Sequence, residues 1–322
     1  MQEKIIQDNP SDSLIINIFD NLSQNIIGQH ELNQNLIIAL LARGHVLLEG
    51  MPGLAKTKSA ETLANSIDAE FKRIQFTPDL LPSDIIGGDM YIQEKNKFEF
   101  SSGPLFTNIV LADEINRAPA KVQSALLEGM AERQISVGKN TYKLPELFMV
   151  IATQNPIEQE GTYKLPEAQL DRFLLHIKVD YPNAENELKI LNQFETKKKI
   201  SFKLTSASEI IKMQHEVDDV YLDEKLKQYI VDIVIATRET NKYSKELAEY
   251  IEHGVSPRAS LALCQTAKAF AYLQGEEYVS PYHIQKMAKY VLRHRIIISY
   301  KAEAENISTD DIIDKIIELV AI

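Results

Sequence analysis

The sequence predicts an α/β protein in which a five-stranded parallel sheet lies between helices and is followed by an all-α bundle. Three observations predict it. Through the first half, short apolar runs alternate with stretches of helical spacing, the pattern of a parallel sheet covered on both faces. One of these junctions carries a glycine-containing loop between an apolar run and a helical stretch. Beyond Tyr181-Pro182-Asn183 the strand signals stop and helical periodicity alone remains. The expected division is residues 1–182 for the sheet domain, with two hairpin inserts, and 183–322 for the helical domain.

Taken in order, the first twenty residues carry Asp8, Asp12 and Asp20 and lack a basic segment followed by an apolar core, so they do not read as a signal peptide. Ile26-Ile27-Gly28-Gln29 precedes a helix at 31–41 and reads as its start. The strands are expected at 45–49, 71–76, 109–113, 147–152 and 174–179, all but the mixed 71–76 being apolar runs of strand length. Residues 89–100 alternate around Glu94-Lys95-Asn96-Lys97, and 134–142 turn at Gly138-Lys139-Asn140, so both inserts read as surface hairpins. Helices are expected at 185–196, 207–217, 224–241, 257–274, 281–295 and 310–320. Leu226, Ile230, Ile233 and Val234 follow an i, i+4, i+7, i+8 stripe, which marks a core-facing side.

The chemistry concentrates at the strand ends. Gly50-Met51-Pro52-Gly53-Leu54-Ala55-Lys56-Thr57 follows the first strand and opens a helix, the context of a phosphate-binding loop. Backbone N–H groups of such a loop converge on an anion, and the helix N-terminus adds partial positive charge. Lys56 would reach the terminal phosphates of a nucleotide such as ATP, and the Thr57 hydroxyl would hold Mg2+. The general motif has glycine before the lysine; Ala55 stands there instead, at little cost if its dihedrals are helical. Ile109-Val110-Leu111-Ala112 ends in Asp113 and Glu114, a buried strand presenting two acids at its carboxyl end. Asp113 suits the metal, and Glu114, one step on, suits polarisation of an attacking water. Asn155 follows the strand 147–152, where an uncharged amide can bond water and phosphate together. Arg172, before the last strand, would reach a neighbouring subunit's nucleotide. Arg258, in Ser256-Pro257-Arg258, starts a helix of the second domain and would touch phosphates from there.

The order of these motifs resembles the AAA+ ATPase superfamily. Longer strings resemble its MoxR family more narrowly: GMPGLAKT (50–57), QFTPDLLPSD (75–84), LADEINRAP (111–119), QSALLEGMAE (123–132), ATQNPIE (152–158) and QEGTYKLPEAQLDRF (159–173). The similarity runs continuously from about residue 26 to 181 and more loosely beyond. Ala55 departs from the general loop but agrees with this family. The resemblance implies a P-loop AAA+ core with a helical lid, Gly28 beside the adenine, sensor 1 at Asn155, an arginine finger at Arg172 and sensor 2 at Arg258, acting from the lid on its own subunit's nucleotide. It further implies a homo-hexameric ring, hairpins lining that ring's face or channel, and chaperone-like action on partners carrying von Willebrand factor A domains.

The bulk numbers limit the alternatives. With 322 residues, 44% apolar and 25% charged, the chain can bury an ordinary core. Its net charge of -11, with 16 basic against 24 acidic residues up to Pro182 and 19 against 22 after it, argues against a nucleic acid partner. The single cysteine, Cys264, fits a reducing compartment, the seven histidines show no zinc spacing, and no apolar run nears the ~20 residues needed to span a bilayer. A cytoplasmic location with no membrane insertion is the expectation. An ATP-gated scaffold without turnover is the competing reading, disfavoured because a pure binder needs neither Glu114 nor Arg172. A nucleic-acid motor is disfavoured by charge.

Overall fold

A computed structural model of the protein describes residues 10–156, 162–196 and 204–321. Two helices, α1 (Pro10–Asn25) and α2 (His30–Leu41), lead into β1 (Val46–Gly50) and then α3 (Lys56–Ser66). There follow β2 (Phe71–Gln75), α4 (Pro82–Ile86), the hairpin β3 (Gly87–Ile92)/β4 (Lys97–Ser102), β5 (Ile109–Asp113) and α5 (Ala120–Glu132). The first half closes with the hairpin β6 (Gln134–Val137)/β7 (Asn140–Lys143), β8 (Met149–Gln154), α6 (Glu167–Leu170) and β9 (Leu175–Val179).

Strands β2-β5-β8-β1-β9 form one sheet in that order, every pair parallel. The central strands β5 and β8 carry buried residues throughout their apolar runs, whereas edge strand β2 buries only Ile74. Alternate side chains serve opposite faces. Val46, Leu48, Ile109, Leu111, Met149 and Ile151 face α1–α3, and Leu47, Val110, Ala112, Val150 and Ala152 face α5. Each such leucine, isoleucine or valine contributes roughly 1.5–3 kcal/mol by burial. The five strands and two hairpins appear within one or two residues of expectation. The hairpins are joined by Phe100 on β4 and Tyr142 on β7, stacked with ring centroids 3.9 Å apart.

The second half contains α7 (Ala184–Thr196), α8 (Ala207–Asp219), α9 (Glu224–Arg238), α10 (Lys245–Tyr250), α11 (Arg258–Leu273), α12 (Pro281–Leu292), α13 (Tyr300–Ala304) and α14 (Thr309–Leu319). It is not purely helical. A short antiparallel pair, β10 (Ile251–His253) and β11 (Ile297–Ile298), ties α10 to the chain after α12. Strands of three and two residues are too short to leave a periodic signal. Helix α9 also stops at Arg238, short of the expected end, and passes into a tighter turn at Thr240–Lys242.

The two halves share one core. Buried residues of α2 (Leu36, Leu40) belong to the same apolar cluster as Ile210 and Met213 of α8 and Leu263 of α11. Gln214 of α8 donates to the Leu40 carbonyl at 2.7 Å, and the Tyr290 hydroxyl donates to Glu31 at 2.8 Å. No helix among the described residues is long and apolar enough to cross a membrane.

Candidate functional site

The site grows from the carboxyl ends of three adjacent strands, β5, β8 and β1. Gly50 ends β1 against β9 so closely that a Cβ there would lie 2.6 Å from the Val179 carbonyl oxygen, a backbone atom that cannot give way. The loop then turns through Gly53, at φ +85°. Ala55 corrects an expectation: its φ is +57° and ψ +16°, left-handed rather than helical, so it occupies the conformation that suits the general motif's glycine. Lys56 and Thr57 are the first two residues of α3. Lys56 Nζ donates to the Gly50 carbonyl at 2.5 Å and to the Gln154 carbonyl at 3.4 Å, which ties the loop to the end of β8.

Asp113 and Glu114 leave β5 beside this loop. Thr153 Oγ1 donates to Asp113 Oδ1 at 2.6 Å and accepts from the Glu114 backbone N–H at 2.9 Å. Glu114 sits at φ +56°, a costly conformation for a non-glycine residue and one that clusters at functional positions. Its Oε2 accepts from Gln75 Nε2 at 2.7 Å and from Arg117 Nη1 at 2.9 Å. Asp113 Oδ2 accepts from Arg73 Nε at 3.0 Å and Nη2 at 2.6 Å, and the same Nη2 donates to Gln75 Oε1 at 3.1 Å. Asn155, buried, follows β8 directly. The segment from Ile157 to Gly161, shared by two of the strings quoted above, lies outside the described residues.

Sequence reasoning missed Arg73, Gln75 and Thr153. Arg73 and Gln75 are two apart on one face of β2, and Gln75 pairs in register with Asp113. The signal was present as two polar residues on alternate positions, but which strand neighbours β2 is a tertiary fact.

Beside the loop opens a cavity of about 150 Å3 between Gly50, Leu54, Pro156, Lys178 and Tyr181. Gln29 Nε2 donates to the Asp180 carbonyl at 2.8 Å, which brings the Gly28 turn to its rim. Gly28 has φ +78°, and a Cβ on it would meet Asn186 at 2.8 Å. Glu49 behind the loop accepts from His176 at 3.1 Å and Gln154 at 2.8 Å; the histidine bond holds its carboxyl down at about 2. The oxygen donors available, a threonine hydroxyl and a carboxylate, are those a magnesium ion takes.

The two arginines lie elsewhere. β1 and β9 run parallel in register from Val46/Leu175 to Gly50/Val179. The loop leaves from the carboxyl end, while Asp171 and Arg172 precede the amino end, about 13 Å of strand away. Arg172 Nη1 donates to the Leu127 carbonyl at 2.8 Å. Arg258 Nη1 lies 3.5 Å from Asp171 Oδ2, where Ser256 Oγ also donates at 2.9 Å. Arg295, almost fully buried, holds Asp171 Oδ1 at 2.8 Å. The structure therefore does not bring Arg258 to its own chain's phosphate loop, against the expectation that it acts there. Helix α11 packs on α2 and α12, and its first residue reaches Asp171, just before the amino end of β9.

Known proteins resemble this chain in sequence and in fold. Residues 45–175 fit the family model described as "ATPase family associated with various cellular activities (AAA)", and residues 245–316 fit the AAA lid domain. Chaperone MoxR1 of Mycobacterium tuberculosis is 43% identical over 92% of this chain and 79% of its own. Protein MoxR of Paracoccus denitrificans is 32% identical over 85% and 86%. A crystal structure of a candidate ATPase from Cytophaga hutchinsonii superposes with a TM-score of 0.90 at 45% identity, covering 97% of this chain and 96% of the other.

Proposed function

The chain belongs to the MoxR family of AAA+ ATPases, and from that membership we propose that it works as a homo-hexameric ring that hydrolyses Mg-ATP to remodel a partner protein. One observation carries the reading. The phosphate-loop lysine, an acid pair and a buried amide leave the carboxyl ends of three adjacent parallel strands, where such sheets take their ligands.

Within that reading, the loop from Gly50 to Lys56 cradles the phosphates, and the cavity bounded by Leu54, Tyr181 and the Gly28 turn takes the base. Thr57 and Asp113 hold Mg2+, which when bound neutralises developing phosphate charge. Glu114 takes the proton of the attacking water, and Asn155 orients that water. Arg172 and Arg258, near the amino end of β9 and so remote from their own loop, serve the neighbouring subunit's nucleotide. The core ends at Pro182, and residues 183–322 form the lid. The stacked hairpins face the client, and a protein with a von Willebrand factor A domain is the partner that the family suggests.

Phosphate release by wild type and by Glu114→Gln tests the site: the variant binds ATP without turnover, and equal rates would refute the assignment of the base. The same variant, locked with ATP, can be used to recover the partner from the native host.

A further inference from the structure

At the amino end of the sheet, opposite the end that carries the phosphate loop, a cavity of about 210 Å3 opens between the core and helices α8 and α11. Its polar lining is Arg43, Arg133, Asp218, Gln265 and Lys268. Arg43 comes from the turn before β1, Arg133 from the turn after α5, Asp218 from α8 and Lys268 from α11.

Three cations face one carboxylate here, in a chain whose net charge is -11. Asp218 is engaged by Arg43, with Nη1–Oδ1 at 3.0 Å and Nη2–Oδ2 at 2.9 Å. Arg133 donates only to carbonyls, those of Arg43 at 3.1 Å and Glu146 at 3.4 Å. Lys268 Nζ also donates to a carbonyl, that of Asp218, at 2.7 Å. Among the described residues no carboxylate lies within 4 Å of either Arg133 or Lys268. Burial, and next the nearby Arg43, push the Arg133 guanidinium pKa down, against a smaller upward pull from Glu146. Both arginines hold left-handed backbones, φ +53° for Arg43 and +50° for Arg133, at helix C-termini where glycine or asparagine is usual.

We propose that this cavity is a binding site for an inorganic oxyanion of the orthophosphate class. Guanidinium groups match phosphate oxygens in pairs, and an ammonium supplies a further point charge. The volume far exceeds the ~10–15 Å3 that one water needs, yet falls below the ~300–1,000 Å3 typical of pockets for drug-sized ligands. A small, highly charged occupant fits both limits. Held between Arg133 of the core and Lys268 of α11, the anion braces the helix that begins at Arg258.

The test is orthophosphate binding at constant ionic strength, read by calorimetry and by thermal shift, in Lys56→Ala so that the phosphate loop cannot contribute. Saturable binding is expected to persist in Lys56→Ala and to weaken at least tenfold when Lys268→Gln or Arg133→Asn is added. Asparagine tolerates the left-handed backbone at 133; should that variant not fold, Lys268→Gln on the helix surface decides alone. Loss of phosphate binding in Lys56→Ala, indifference to Lys268→Gln, or an equal response to chloride would each overturn the proposal. The ATPase reading stands or falls separately on Glu114→Gln.

Discussion

Arg73 Nη2 lies 2.6 Å from Asp113 Oδ2, so the acid offered for magnesium is already paired with a cation from the neighbouring strand. The arginine side chain is half exposed and the aspartate nearly buried, at 51% and 12%. Its stabilising effect is therefore modest, about 1 kcal/mol. Its larger effect is competition, because a divalent cation approaching Asp113 meets an oxygen that already accepts two N–H groups.

Arg73→Ala is predicted to lower the Mg2+ concentration giving half-maximal ATP hydrolysis, with a stability loss of about 1 kcal/mol. A magnesium titration of steady-state turnover checks it. An unchanged or raised half-maximal concentration would show that the pair does not compete with the metal.

Ala55→Gly is predicted to stabilise the protein by about 1 kcal/mol, because the left-handed conformation burdens alanine and not glycine. For a chain of this size that is a rise of about 2 °C in Tm. A fall in Tm would mean that the alanine methyl makes compensating contacts.

Burial pushes His45 down to about 4 from 6.5. It accepts from the Val150 N–H through Nδ1 at 3.0 Å, and its Nε2 lies 3.2 Å from the Met130 carbonyl, so the neutral ring fits both. Between about pH 6.5 and 4 the unfolded chain binds a proton that the folded chain refuses. The stability present above 6.5 is therefore lost as pH falls through that window. The expected loss from pH 7 to pH 5 is about 2 kcal/mol from this group. His294 and His283 shift in the same direction, so the comparison that isolates His45 is the slope of stability against pH in wild type and His45→Gln. Equal slopes would exclude it.

Subunit mixing tests where the two arginines act. Arg172→Ala should leave ATP affinity nearly intact and cut turnover by ~10³. Because Arg258 sits on Asp171, next to Arg172 in the chain, both Arg172→Ala and Arg258→Ala should regain activity when mixed with Glu114→Gln subunits, whose arginines are intact. Rescue of Arg172→Ala alone would return Arg258 to its own subunit's nucleotide.

Much of the fold was readable because its signals are local. Four apolar runs of strand length, a loop with fixed glycines and proline-led helix starts each declare themselves within ten residues. Lys56, Thr57, Asp113, Glu114 and Asn155 follow, since each sits at the end of such a run. The illegible part is what depends on neighbours distant in sequence. Arg73 gains meaning from the pairing of β2 with β5, and the position of Arg258 depends on how α11 packs against α2 and α12. The backbone of Ala55 was misjudged because the sequence names a residue but not its dihedrals. The β10/β11 pair left no trace because two or three residues cannot show a period.

The apolar cluster that runs from α2 into α8 and α11 bears on how the molecule comes apart. Pro182 marks a change in the kind of secondary structure, not a gap in packing, and the contacts across it join residues as far apart in sequence as Glu31 and Tyr290. Heating should therefore melt both halves in a single cooperative transition, with calorimetric and van't Hoff enthalpies in agreement. A fragment cut after Pro182 would bare the α2 face around Leu36 and Leu40 to water, and would be expected to clump rather than persist as a soluble, independently folded unit.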